Sequence, residues 1–458
     1  MRNLTEGKPG KLILQFAAPM LIGNVFQQLY NVADSIIVGK FLGKEALAAV
    51  GSSFPLIFML VSFIIGIATG TTIIIAQYFG ARNIEKVKRS IDTLNIVLLA
   101  ASVLVTAFGI AFSVPIFRLI RLPEEVISGA SLYMNVYLTG TFFFFGFNGV
   151  SAVLRGLGDS KTPLYFLIIS TIANIFLDLL FIVVFKWGIA GAAWATVISQ
   201  GGALVTLIFY LNRTHQLVRI TWRKPVWDKE IFVQSIRIGL PTGFQQTFVS
   251  LGMLALLRIV NDYGTATIAA YSVASRIDGL ASLPAMNFGA ALSTYTGQNI
   301  GANKIKRVRE GLVATLNISS LVAVSTSILI LIFRHELMAL FSSNHEVIDT
   351  GARYLLIVSG FYVTFSSMFV IGGVMRGAGD TLIPMFITLF SLWIVRIPFA
   401  WILSHRIGED GIWWAIPIAW FIGMALSYIY YRLGRWKNKA VIKQPANTTM
   451  TEEPNAIK

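Results

Sequence analysis

The sequence predicts an all-α integral membrane protein of twelve transmembrane helices, in two six-helix lobes related by pseudo-twofold symmetry along the membrane normal. Three observations lead there: long apolar runs between short charged islands, a low share of charge, and an internal repeat. Of the 458 residues, 55% are hydrophobic and 13% charged, with a mean hydropathy of +0.70. A soluble domain carries roughly 25% charged residues, so the apolar surplus here faces lipid. A spanning helix needs about 20 apolar residues. Such runs fall at 12–38, 47–79, 91–116, 129–154, 163–186, 188–211, 237–260, 268–300, 311–333, 347–375, 383–404 and 411–431. Several exceed what a perpendicular crossing needs, which implies tilt or extension beyond the bilayer. The first run follows Arg2 and Lys8 but contains Gln27, Gln28, Tyr30, Asn31 and Asp34. It is too long and too polar for a signal-peptide core and reads as a retained helix.

The repeat has a spacing of 221 residues. Gly43, Ala48 and Ala49 recur as Gly264, Ala269 and Ala270; Gln77, Gly80 and Ala81 recur as Gln298, Gly301 and Ala302. Arg155-Gly156-x-Gly158-Asp159 with Pro163 returns as Arg376-Gly377-x-Gly379-Asp380 with Pro384. The unit holds six helices, an even number, so both copies share one orientation and form lobes related by an axis along the membrane normal. The expected division is 1–220 for the N-terminal lobe, 221–436 for the C-terminal lobe, and 437–458 for a polar, disordered cytoplasmic tail. The cleft between such lobes is the natural substrate site.

Basic residues set the orientation. With both termini inside, the cytoplasmic segments hold 26 Lys and Arg, and the opposite side nine. A net charge of +15 therefore reflects retention of basic loops and not a nucleic-acid partner. Absence of cysteine excludes disulfides, thiol chemistry and thiolate metal sites. His215, His335, His345 and His405 all fall in expected loops, so no intramembrane histidine relay is expected. Gly43-Lys44 resembles a fragment of a phosphate loop, but the Gly-x4-Gly-Lys-Ser/Thr spacing is missing, so ATP does not drive this chain. No cofactor, resident metal or enzymatic activity is expected.

Intramembrane acids are the main clue, because a carboxylate in lipid costs several kcal/mol unless solvated or paired. Asp34 in the first span and Asp178 in the fifth are the clear cases. Asn174 and Asp178 are spaced i, i+4, while Gln27, Tyr30 and Asp34 follow i, i+3, i+7, so each set shares a helical face. Thr196 of the sixth span can complete the cluster. One repeat beyond Asp178 stands Phe399, so the second lobe has no counterpart. An asymmetric acid pair suits binding of a proton or sodium ion; a structural pairing with a buried donor is the competing reading. Pro19, inside the first helix, frees a carbonyl and eases bending. The doubled Arg-Gly-x-Gly-Asp segments read as turns, with Ser160 or Thr162 capping the helix opened by Pro163. Arg276 and Asp278 read as a local ion pair, Arg396 as half of another, and Phe142 to Phe147 as lipid-facing packing.

With Pro19, Asn31-Val-Ala-Asp34, Gln77-x-x-Gly80-Ala81, the doubled turns and Asn174-x-x-x-Asp178 on the page, the chain resembles the multidrug and toxic compound extrusion (MATE) family over roughly residues 10 to 435. Its spacing of Gln27, Tyr30, Asp34, Asn174, Asp178 and Thr196 is most similar to the DNA-damage-inducible branch. The other bacterial branch places coupling acids in the second lobe, on helices 7 and 10, where this chain offers none. The resemblance implies a monomeric secondary antiporter of a bacterial or archaeal cytoplasmic membrane. It would exchange organic cations or amphipathic drugs for protons or sodium ions and would contact membrane lipids. Two other classes stay open: a lipid-linked oligosaccharide flippase of the same superfamily, which would usually carry extra helices or several cavity arginines, and a non-transporting membrane subunit.

Overall fold

The computed structural model describes residues 2–219 and 225–442. Twelve helical spans follow one another: α1 (Pro9–Leu42), α2 (Lys44–Gly80), α3 (Ile84–Leu119), a bent α4 (Glu124–Thr139 and Thr141–Gly156), α5 (Lys161–Val184), α6 (Gly188–Thr214), α7 (Lys229–Asn261), α8 (Thr265–Gly301), α9 (Ile305–Ala339), a bent α10 (His345–Ser359 and Tyr362–Gly377), α11 (Leu382–Ile407) and α12 (Asp410–Leu433). Nine are apolar enough to cross a membrane singly, and α4 and α10 qualify as bent pairs. The remaining span, α8, has 37 residues. Arg276, Asp278, Asn287, Gln298 and Asn299 lower its hydropathy, and it packs against α2 and α10 instead of lipid alone.

The runs 129–154 and 347–375, each expected as one span, form bent helices: α4 bends by 51° after Thr139 and α10 by 50° after Ser359. Each bend frees a carbonyl, and a hydroxyl from the neighbouring helix answers it. Thr106 of α3 donates to Leu138 O at 2.7 Å, and Ser327 of α9 donates to Ser359 O at 2.5 Å. Donors and acceptors are each one repeat apart, so the two lobes break their helices by the same device.

Each lobe has its own apolar core, one around Phe117, Met134 and Phe145, the other around Tyr354, Ile412 and Trp413. Phe145 and Phe147 are buried, so the phenylalanine run is partly core, contrary to the lipid-facing expectation. A third core joins the lobes: Leu4, Leu12 and Phe16 at the start of α1 pack with Phe288, Tyr295 and Leu312 of the second half. The first half of α1 thus leans on the opposite lobe. The tail also departs from expectation. A short helical turn at Arg435–Lys439 buries Trp436, whose ring stacks on Tyr431. Val441 N then donates to Gln77 Oε1 at 2.8 Å. Chain order therefore continues through 442; residues 443–458 of the expected tail lie outside the described residues.

Glycine allows the lobes to touch. A Cβ on Gly66 would lie 2.6 Å from Gly239 O, and one on Gly70 2.7 Å from Gly239 N. No side chain fits there, so α2 and α7 cross backbone to backbone. Further contacts between the lobes lie at the end, here the basic end, that holds Leu4 and the turns after α2, α4, α8 and α10.

Candidate functional site

Within the first lobe, α1, α4, α5 and α6 bring one polar cluster together in an otherwise apolar interior. Asp34 is 7% exposed and Asp178 0%. Tyr30 Oη lies 2.9 Å from Thr196 Oγ1, tying α1 to α6. With its amide turned to suit both neighbours, Asn174 donates to Asp178 Oδ2 at 3.0 Å and accepts from Thr196 N at 3.3 Å. Asp34 Oδ1 and Asp178 Oδ1 are buried with no hydrogen-bond partner among the described residues, and the two carboxylates lie within electrostatic reach of each other. Asp178 is the last α-helical residue before a π-helical stretch, Leu179–Val184, a local widening of the kind often found at functional positions.

The structure brings Tyr30, Asp34, Asn174, Asp178 and Thr196 together in one pocket. Gln27, half-buried one turn earlier on α1, makes no side-chain hydrogen bond among the described residues. Two pocket residues escaped notice. Tyr133 and Tyr137 of α4 are electrostatic neighbours of Asp34, with rings 6.3 Å apart. Their i, i+4 spacing was the available signal. Pro19 is buried inside a continuous α1. The donor set is all oxygen, from two carboxylates, an amide and hydroxyls. Such hard donors suit a proton or an alkali cation; among the described residues no group of three His, Cys, Asp or Glu could hold a heavier metal.

At the basic end the repeated motifs meet each other across the lobes. Gln77 Nε2 of α2 donates to Gly377 O at 3.0 Å, and Gln298 Nε2 of α8 donates to Gly156 O at 3.0 Å. Their carbonyl oxygens accept from segments outside the spans, Gln298 from Leu4 N at 2.9 Å and Gln77 from Val441 N at 2.8 Å. Each glutamine therefore reaches the Arg-Gly-x-Gly-Asp turn of the opposite lobe. A Cβ on Gly80 would overlap the Gln298 carbonyl, and one on Gly301 the Gln77 carbonyl. Gly158 and Gly379 have φ of +80° and +94°, the left-handed region that glycine enters at least cost. Within the turns, Asp159, and not Ser160 or Thr162, caps α5: its Oδ1 accepts from Lys161 N and Thr162 N at 3.1 and 3.0 Å. Asp380 accepts from Tyr430 Oη, and Arg376 donates to Phe369 O at 3.3 Å. Arg155, at the end of α4, is half-buried. The expected Arg276–Asp278 ion pair does not form. Arg276 is exposed, while Asp278 turns inward to Tyr354 Oη at 3.4 Å.

Two six-helix lobes meeting at one end, with a buried acid pair inside one of them, define a polytopic membrane transporter. The MatE family model matches residues 19–180 and again 241–402; the chain belongs to the multidrug and toxic compound extrusion family. It is 34% identical over 436 residues to the probable multidrug resistance protein YpnP of Bacillus subtilis (strain 168), covering 95% of this chain and 97% of that one. To the probable multidrug resistance protein YoeA of the same organism it is 35% identical over 437 residues, covering 93% and 94%. A crystal structure of MATE in the straight conformation superposes with TM-score 0.89 at 26% identity, over 95% of this chain and 98% of that one.

Proposed function

We infer that the protein is a secondary antiporter of the cytoplasmic membrane, with both termini in the cytoplasm. It exports lipophilic or cationic compounds in exchange for protons or sodium ions, and needs no cofactor beyond the coupling ion. One observation carries the reading: Asp34 and Asp178 share a desolvated pocket, each with a buried carboxylate oxygen that no group among the described residues answers. Two carboxylates so placed repel, and a proton or a sodium ion taken up there relieves the cost. Loading the pocket alters the hydrogen bonds of α1, which carries Tyr30 and Asp34 and also leans on the second lobe. The ion can drive exchange only through different affinities for two arrangements of the lobes. The lobe contacts at the basic end support an arrangement closed to the cytoplasm. The names of YpnP and YoeA support a multidrug substrate range, and the spacing of the acid cluster supports the DNA-damage-inducible branch.

The direct test is dye or drug accumulation in everted vesicles under an imposed pH or sodium gradient. Gradient-dependent uptake is expected. Equal uptake with and without every gradient would remove the antiport reading.

A further inference from the structure

The segments that flank the twelve spans cross between the lobes. Before α1, Arg2 N donates to Leu157 O at 3.2 Å, on the turn after α4. A Cβ on Gly158 of that turn would overlap the Arg2 carbonyl. The next residues pass to the second lobe. Leu4 N donates to Gln298 Oε1 at 2.9 Å, and Asn299 Nδ2 donates to Leu4 O at 3.2 Å. Lys304 Nζ donates to Thr5 O at 3.0 Å, and Arg307 Nη2 to Gly7 O at 2.9 Å. The Leu4 side chain, 1% exposed, sits in the third core with Tyr295 and Ile300. The chain then returns to the first lobe as α1.

After α12 the crossing runs the other way. Trp436 seats in the same third core. The Lys439 carbonyl lies against Gly379, where a Cβ would stand 2.8 Å from it. Val441 N donates to Gln77 Oε1 at 2.8 Å, and Val441 and Ile442, both half-buried, pack on the first-lobe core. Gly158 and Gly379 are one repeat apart, as are Gln77 and Gln298. Each segment therefore passes the glycine of one lobe's turn and reaches the glutamine of the opposite lobe. Those glutamines also join the lobes, through Gly377 O and Gly156 O. The lobes cannot part at the basic end while both segments stay seated, because each grips both lobes. The anchors are releasable, since such hydrogen bonds exchange for bonds to water at a small net cost.

We propose that residues 2–7 and 435–442 are reciprocal straps that hold the lobes closed at the basic end, and that their release opens the cleft there. The proposal rests on the antiport reading only in requiring two arrangements of the lobes. Substrate reaches the cleft from the basic side once each strap has let go of the lobe it visits. The balance between the two arrangements is thereby set by contacts outside the spans as well as by the ion loaded in the first lobe.

The test measures lobe separation by pulsed EPR distances between nitroxides on the purified full chain in lipid nanodiscs, without any gradient. One pair, Lys88→Cys with Lys306→Cys, reports the basic end; the other, Arg118→Cys with His345→Cys, reports the far end. All four residues are exposed, and the chain has no cysteine of its own. Lys304→Ala with Arg307→Ala loosens the first strap, and Val441→Asp unseats the second. Each should raise the ratio of long to short basic-end distances about fivefold or more, the scale of one net hydrogen bond, while the far-end distance shortens. Val441→Ile keeps the apolar seat and the N–H, and should keep the wild-type distances. Unchanged distances in both strap variants, lengthening at both ends, or a shift in Val441→Ile would each overturn the proposal. If the distances move as expected while everted vesicles show no gradient-dependent uptake, the antiport reading fails and the straps stand.

Discussion

Asp178 is fully buried within the polar cluster of the first lobe, and among the described residues only Asn174 answers one of its oxygens. An isolated buried carboxylate costs several kcal/mol, so the fold tolerates it for its chemistry. Asp34→Asn and Asp178→Asn should each abolish gradient-driven export while the protein still inserts and still binds substrate, since neutral amides relieve the burial cost. Asn174→Ala and Thr196→Ala each remove one neutral partner, worth about 1 kcal/mol, and should slow export by no more than about tenfold. Gln27→Ala, with no hydrogen bond to lose, should stay within about twofold of wild type. Initial export rates in proteoliposomes at matched expression check all five. Wild-type export by Asp178→Asn would move the coupling site elsewhere. The spacings i, i+4 and i, i+3, i+7 align Asn174 with Asp178 and Gln27 with Tyr30 and Asp34, because each is a property of one helix; that Thr196 meets Tyr30 is decided by packing. Tyr133 and Tyr137 went unremarked because only packing brings α4 to the same pocket.

At the scale of elements, the basic end is held by paired devices. Gln298→Ala deletes two interlobe hydrogen bonds, and Gln77→Ala deletes one interlobe bond and one to Val441 of the tail, each contributing about 1 kcal/mol. Either change should weaken closure at this end, and the double change should do so further. A cysteine introduced at Ala76, which faces Gly297 across the interface, reports this: its modification in everted vesicles should speed up in both variants. No change in labelling rate would show that the glutamines do not hold the lobes together. A second clamp joins α3 to α7: Lys86 Nζ lies 3.1 Å from Asp228 Oδ2 and 3.5 Å from Glu230 Oε2. Burial pushes the Asp228 carboxyl upward, but amide donation from Ile231 and Glu230 and the Lys86 ammonium outweigh it, and the group titrates below its ordinary value. A carboxyl depressed in the folded state stabilises above its unfolded value, about 4, and that stabilisation is lost as pH falls through the folded value. Asp228→Asn should therefore melt below wild type at pH 7, with the difference shrinking toward pH 3. A gap as wide at pH 3 as at pH 7 would exclude this origin.

For the whole molecule, the excess of basic loops sets the prediction. Cysteines placed at Lys88 and Lys306 should be shielded from impermeant thiol reagents in intact cells, whereas one at His345 should react. The natural chain has no cysteine, so any labelling reports the introduced site alone. Labelling of position 306 from outside would invert the assigned orientation. The repeat predicted two lobes of six helices, and the MatE model matches the two halves separately. What the sequence by itself determined was everything carried by composition and one-dimensional spacing: lipid-facing helices, duplication, and acids aligned on single helical faces. Tertiary structure alone decided the bends of α4 and α10, the glutamine contacts between repeated turns, and the inward turn of Asp278 toward Tyr354. Those depend on which helices lie side by side. A freed carbonyl finds its hydroxyl 32 residues away in the chain, and a glutamine amide its carbonyl 142 or 300 residues away, because packing and not sequence order makes them neighbours.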